Sequence, residues 1–140
     1  MRSFDPILLV EDDKLDIMTL KRGLRDIHAD NPLHVRNDGE DALEFLRDPN
    51  NPTPGLILLD LNMPRMNGLE FLKILKADPN WRKIPVVILT TSREEQDRLV
   101  SFELSAAGYI VKPLEYPDFV EKLLVIYNYW RLCEIPNLIT

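Results

Sequence analysis

One cysteine, two histidines and no apolar run long enough for a bilayer exclude much of what a chain of this size could be. Cys133 by itself can form neither an internal disulfide nor a cysteine-based zinc site. It lies in an amphipathic stretch, where a small buried hydrophobe is its ordinary role. His28 and His34 lack donor-like surroundings and read as surface residues. No segment approaches the roughly 20 apolar residues that span a membrane. Basic charge is in deficit, with 17 Lys and Arg against 23 Asp and Glu and a net charge of −6. That balance disfavours nonspecific attraction to nucleic acid or anionic lipid. Repeats and low-complexity tracts are absent. The opening Met1-Arg2-Ser3-Phe4-Asp5-Pro6 has no signal-peptide pattern, so the cytoplasm is the expected compartment.

What is present is the material of one globular domain. The chain has 140 residues, 45% of them hydrophobic and 29% charged, enough for one core and too few for two. Short apolar runs at Ile7–Val10, Leu33–Val35, Leu56–Leu59, Val86–Leu89 and Tyr109–Val111 alternate with helical patterns. Four of the five are almost wholly apolar, as parallel strands covered on both faces should be. His34 and Arg36 make the second run the most polar, which suits a sheet edge.

Leu15, Met18, Leu20, Leu24 and Ile27 give a helical stripe through Lys14–Ala29, and Ala42, Leu43, Phe45 and Leu46 fill a second helix. A third follows Asn67-Gly68 and stops at Asp78-Pro79, and a fourth carries Leu99, Val100, Phe102 and Leu104 up to Gly108. The fifth has Pro117 in its first turn and runs to about Cys133. Five βα units with short connections imply an α/β fold: a doubly wound parallel sheet of order 2-1-3-4-5 with right-handed crossovers. The ligand site of such a sheet lies beyond the carboxyl ends of its strands, at the switch point of strand order.

Each of four strand ends carries a polar residue with chemistry to offer. Glu11-Asp12-Asp13 follow the first strand, Asp60 the third, Thr90-Thr91-Ser92 the fourth and Lys112-Pro113 the fifth. Carboxylates gathered in one pocket repel one another and call for a cation. Oxygen ligands without His or Cys suit Mg²⁺. A carboxylate such as Asp60 is a competent nucleophile toward phosphorus, Lys112 is a point charge for a phosphoryl oxygen, and Thr90 can donate to another. Taken singly, each has a plainer reading as a cap, strand-end residue or surface charge. Together they supply what phosphoryl transfer needs: positioning and charge neutralisation. Asp13 reads as the cap of the first helix.

At these residues the sequence resembles the response-regulator receiver domains of bacterial two-component systems. Leu8-Leu9-Val10-Glu11-Asp12, Asp60-Leu61-Asn62-Met63-Pro64 with Asn67-Gly68, Leu89-Thr90-Thr91-Ser92 and Gly108-Tyr109-Ile110-Val111-Lys112-Pro113 carry the resemblance. It covers roughly residues 5–130. It implies a Mg²⁺ ion held by Glu11, Asp12, Asp60 and the backbone carbonyl of Asn62. It further implies that a partner histidine kinase phosphorylates Asp60, that Lys112 and Thr91 bind the phosphoryl group, and that Thr90 swings toward it. Tyr109 would be an aromatic rotamer switch, although a strand aromatic that simply packs is the alternative, and the Lys112-Pro113 bond would be cis. One departure is that Glu-Asp stands where Asp-Asp is commoner. Glu11 is a methylene longer, leaving direct or water-mediated metal contact open.

Residues 1–133 are expected to form the receiver and 134–140 a tail, with no output domain, so signalling to a downstream protein should pass through the receiver's own surface. Phe119, Leu123, Ile126, Tyr127 and Trp130 should face the sheet, whereas Val120, Leu124, Val125, Tyr129 and Leu132 lie largely off that stripe. A helix apolar over so much of its circumference is usually buried on more than one side. A homodimer through this helix and the tail is the expectation; a tail folded back over the stripe is the alternative. The helix and tail look similar to the small single-domain regulators that partner cyanobacterial phytochrome kinases. Two other functions compete. A phosphatase or phosphotransferase would want a second acid where Asn62 stands, and an interaction module with a vestigial pocket would not need every one of these residues.

Overall fold

The computed structural model describes residues 1–136. The strands are β1 (Ile7–Val10), β2 (Leu33–Arg36), β3 (Leu56–Leu59), β4 (Val86–Thr90) and β5 (Gly108–Val111). Between and after them run α1 (Lys14–Asp26), α2 (Gly39–Arg47), α3 (Gly68–Ala77), α4 (Glu95–Glu103) and α5 (Tyr116–Leu132). All pairings are parallel, in the order β2-β1-β3-β4-β5. The order reverses between β1 and β3, where Val10 stands level with Leu59. No helix among the described residues is long and apolar enough to cross a membrane.

The period of two in a strand divides the core into two layers. Leu8, Val10, Ile57, Leu59, Val86 and Ile88 point to one face and pack with Ala42, Leu43 and Phe45 of α2 and Phe71, Leu72 and Leu75 of α3. Ile7, Leu9, Leu56, Leu58, Val87 and Leu89 point to the other, against Leu20 and Leu24 of α1 and Phe119, Leu123 and Tyr127 of α5. Because both faces are covered, β1, β3 and β4 are buried along their whole length. Burying each such side chain stabilises the fold by roughly 1.5–3 kcal/mol, and the sheet is held rigid beneath the loops at its carboxyl edge.

Helix ends depart from expectation where a residue other than glycine takes a left-handed conformation. His28 does so at φ 60° and stops α1 short of Ala29, its N–H donating to the Arg25 carbonyl. Ser105 at φ 66° ends α4, leaving Gly108 to open β5 instead. Leu15 and Met18 of α1 are exposed, and the buried stripe runs instead through Ile17, Leu20, Leu24 and Ile27. Leu99 and Phe102 of α4 also face solvent. On α5, Phe119, Leu123 and Tyr127 are buried as expected, while Leu124, Val125, Tyr129 and Leu132 are exposed. Of the tail, Ile135 packs on the α1/α5 core layer; residues 137–140, part of the expected dimer surface, lie outside the described residues.

Candidate functional site

The parallel register at the switch point carries the first two site residues into contact range. Asp60 N donates to Val10 O at 3.0 Å, so the chain leaves β3 beside Glu11. Glu11 is all but inaccessible, and Oε2 accepts from the backbone N–H groups of Asp12 and Asp13 at 3.1 and 3.3 Å. Ligand oxygens of Glu11, Asp12 and Asp60 all lie within 4.8 Å of one another. Asp12 is exposed, whereas Glu11 and Asp60 are buried. Asp13 caps α1 as anticipated, Oδ1 accepting from Leu15 N and Asp16 N at 2.9 and 3.1 Å.

Asp60 Oδ1 accepts from Leu61 N at 2.9 Å, and Oδ2 has no hydrogen bond among the described residues. One carboxylate oxygen is thereby fixed and the other is left without a hydrogen-bond donor among the described residues. Asn62 follows on an exposed loop, and among the described residues no donor reaches its carbonyl oxygen. The donor set of three carboxylates and a free carbonyl, with no sulfur or imidazole, fits a hard divalent cation.

On the β5 side, Lys112 N donates to Thr90 O at 2.8 Å, extending the sheet by one rung. The ammonium hydrogen-bonds to Glu11 Oε1 and, at 2.8 Å, to Asp16 Oδ2. Asp16, in the first turn of α1, was missed by sequence reasoning. Its spacing from Asp13 reads as an ordinary acidic first turn, and nothing in the sequence links it to residue 112. The Lys112-Pro113 bond is trans, not cis as expected. Before proline the trans form is the favoured one by about 0.5–1 kcal/mol, and from it the ammonium already reaches both carboxylates.

Burial pushes the Glu11 carboxyl up to about 7; the Lys112 hydrogen bond opposes this and the Asp60 charge adds to it. Burial alone would lower the Lys112 pKa, but its hydrogen bonds to Asp16 and Glu11 more than reverse that, and the net shift is upward.

Thr90 is fully buried at the end of β4, its hydroxyl accepting from Ser92 N at 3.3 Å. Thr91 beside it is exposed. Tyr109 is half-buried, packs on the α2/α3 core layer, and donates through its hydroxyl to Ser92 O at 3.1 Å. The ring is thus packed on the core and tied to the loop that follows Thr90.

The loop after Asp60 is fastened to α2. Arg65 Nε donates to Asp38 Oδ2 at 2.7 Å, Gly39 N to Met66 O at 3.0 Å, and Asp38 Oδ1 caps α2 through Asp41 N. The Arg65 hydrogen bond, and then the backbone donors, hold the Asp38 carboxyl below the usual range. A depressed carboxylate contributes stability that is complete above its unfolded pKa, about 3.9, and lost as pH falls through the folded value. Arg65→Gln should therefore be less stable than the parent by an amount that is constant above about pH 5 and shrinks toward pH 2. Urea titrations across that range would refute the assignment if the gap stayed constant.

Residues 7–124 match the family described as the response regulator receiver domain. The chain belongs to that family. Response regulator Rcp1 of Synechocystis sp. is 39% identical over 128 residues, covering 89% of this chain and 87% of Rcp1. The probable methanogenesis regulatory protein FilR2 of Methanothrix harundinacea is 33% identical over 127 residues, 89% of this chain and 82% of its own. The crystal structure of Mn²⁺-bound Rcp1 superposes with a TM-score of 0.88 at 37% identity, over 95% of this chain and 99% of that one. The phosphorylated cyanobacterial phytochrome response regulator RcpA gives 0.87 at 33% identity, over 96% and 99%. This receiver thus shares its fold and most of its length with phytochrome response regulators.

Proposed function

We propose that this receiver is a single-domain response regulator whose Asp60 accepts a phosphoryl group from the phosphohistidine of a partner kinase, with Mg²⁺ at the site. The observation that carries the reading is the convergence of Glu11, Asp12 and Asp60 within 4.8 Å at the strand-order switch point. Glu11, Asp12, Asp60 and the Asn62 carbonyl are the residues that would hold the ion. When bound, a divalent cation neutralises the carboxylates and draws charge from phosphoryl oxygens.

Asp60 presents the free oxygen, Oδ2, to the phosphorus while Leu61 N–H holds Oδ1. A P–O bond forms to Asp60 as the P–N bond to the kinase histidine breaks, and the imidazole leaves with that electron pair. Lys112 and the Thr90 hydroxyl would meet phosphoryl oxygens, and Thr91 borders the same end of β4. A movement of Thr90 would change the space beside Ser92, to which Tyr109 is tied, and so carry the modification toward the surface of β5.

Rcp1 crystallised with Mn²⁺ and RcpA in phosphorylated form, and both support the assignment. They also favour a kinase of the phytochrome type and a cytoplasmic setting. A small-substrate phosphatase is disfavoured, because Asn62 stands where a second acid is wanted.

Incubation with acetyl phosphate and Mg²⁺ should add one phosphoryl group per chain, labile at alkaline pH and mapping to Asp60 by mass spectrometry. An adduct at any other residue, or turnover of many equivalents without an adduct, would overturn the reading. We further propose that the receiver is residues 1–133 and that the exposed Leu124, Val125, Tyr129 and Leu132 of α5 pair with a second copy, aided by the tail. Sedimentation velocity should show a dimer; monomers alone with and without the adduct would remove that surface from the account.

A further inference from the structure

Lys112 has two acidic partners, and only one of them belongs to the metal cluster. Its side chain is largely enclosed (11% exposed), and the ammonium lies 2.8 Å from Asp16, whose side chain is 40% exposed and stands on α1 rather than on a strand-end loop. The pair closes one wall of a half-open cavity of about 270 Å³ between α1 and the β5–α5 loop, lined also by Thr19, Arg22, Leu114 and Tyr116. Among the described residues Lys112 makes no hydrogen bond to Asp60, so the cation is drawn toward α1 and away from the phosphoacceptor. A lysine ammonium has three donors, and here Glu11 and Asp16 occupy two.

We propose that Asp16 is a positioning residue that competes with the phosphoryl group for Lys112 and thereby sets how firmly that group is held. The inference rests on Asp60 being the phosphoacceptor. Glu11 is one of the residues that would hold the cation, so its charge would be taken up there. Asp16 is outside that set and keeps its hold on Lys112. Every phosphoryl group or anionic mimic at Asp60 must share the ammonium with a carboxylate that has no other ion pair among the described residues. Removing that carboxylate leaves Lys112 with its full charge directed at the phosphoryl oxygens. The prediction is a gain in affinity, which loosened packing would not produce.

The test is the affinity for beryllofluoride, a phosphoryl mimic, at saturating Mg²⁺ in the full chain, with the half-life of the acetyl phosphate adduct alongside. Asp16→Asn should bind beryllofluoride about 3–10-fold tighter and keep its adduct correspondingly longer, a range set by one partly solvated charge pair. Asp16→Glu should stay near the parent value. Asp13→Asn removes the same charge from a neighbouring exposed site and keeps a good helix cap; it should change affinity by less than about twofold, being outside hydrogen-bond reach of Lys112. In a Lys112→Gln background the Asp16→Asn gain should vanish, as coupling through one contact requires.

Unchanged or weaker binding in Asp16→Asn, an equal gain in Asp13→Asn, or a gain that survives Lys112→Gln would each overturn the inference while leaving Asp60 as acceptor. A parent protein that takes no beryllofluoride at all would overturn both.

Discussion

Asp60→Asn should lose the acetyl phosphate adduct entirely, bind divalent cations at least about tenfold more weakly, and yet melt at a higher temperature than the metal-free parent. The first effect follows from the nucleophile: an amide oxygen does not attack phosphorus as a carboxylate does. The second follows from losing one of three anionic ligands to a dication, an interaction well above the 1.4 kcal/mol that corresponds to tenfold. The third is the less obvious. Glu11, Asp12 and Asp60 lie within 4.8 Å of one another, and in the absence of cation their repulsion opposes folding. At 4.8 Å and an effective dielectric constant near 20, a like-charge pair costs about 3.5 kcal/mol before screening, and most of it is screened where Asp12 meets solvent.

Asparagine is nearly isosteric and can keep accepting from Leu61 N at the Oδ1 position, so the substitution removes charge without opening a cavity. A net gain on the order of 1 kcal/mol would raise Tm by a few degrees. Added Mg²⁺ should then stabilise the parent strongly and the variant little. Calorimetry with and without Mg²⁺ checks this directly. A variant that melts well below the metal-free parent would mean that the three carboxylates do not repel one another as placed, and a residual adduct would move the acceptor elsewhere.

The parts of this site that could be read in advance are those that a strand end dictates. Ile7–Val10, Leu56–Leu59 and Val86–Leu89 are apolar on both faces because helices cover both faces. Their carboxyl ends could therefore be placed to within a residue, and with them Glu11, Asp60 and Thr90; the end of the half-buried β5 placed Lys112. Chain-local signals served as well for Asp13, whose cap is a matter of the four consecutive residues 13–16.

Asp16 could not be found that way. Its partner is 96 residues distant, and its place in an acidic first turn already has a sufficient local explanation. The Asp38–Arg65 pair escaped notice for the same reason. The ends of α1 and α4 were misplaced because His28 and Ser105 adopt a left-handed backbone that their side chains do not advertise. Leu15 and Met18 looked like core because they are apolar and helical, but a stripe defined by residue type alone does not say which of two faces the sheet will cover.

Gly68 ties the fold to the chemistry more tightly than any other residue outside the cluster, and Gly68→Ala should cost roughly 2–4 kcal/mol while slowing phosphoryl transfer by an order of magnitude or more. Its backbone is not left-handed, so the requirement is one of space. A Cβ built there would sit 2.3 Å from the Asp60 carbonyl oxygen, 2.8 Å from Leu61 Cα and 3.0 Å from Leu61 Cδ2. Gly68 N also donates to Leu61 O at 3.1 Å, which holds the first turn of α3 against the chain leaving β3. The α3 side cannot retreat cheaply. Asn67 and Glu70 form a capping box at the start of α3, and Phe71, Leu72 and Leu75 are wholly buried behind it.

Relief of the clash must therefore come from the Asp60–Asn62 segment, which carries the proposed acceptor and the carbonyl proposed for the metal. Displacing reacting groups by about 1 Å is enough to cost 10²-fold in rate. Gly108→Ala is the matched control. There the new Cβ would meet only Val87 Cγ1, at 3.9 Å, an ordinary contact in a strand where glycine has no steric role. That variant should fold at least as well as the parent and take the acetyl phosphate adduct at the parental rate. Denaturant midpoints and labelling rates for the two alanine variants measure the contrast. If Gly68→Ala matched Gly108→Ala in both, the close approach of α3 to the Asp60 backbone would not be what positions the acceptor.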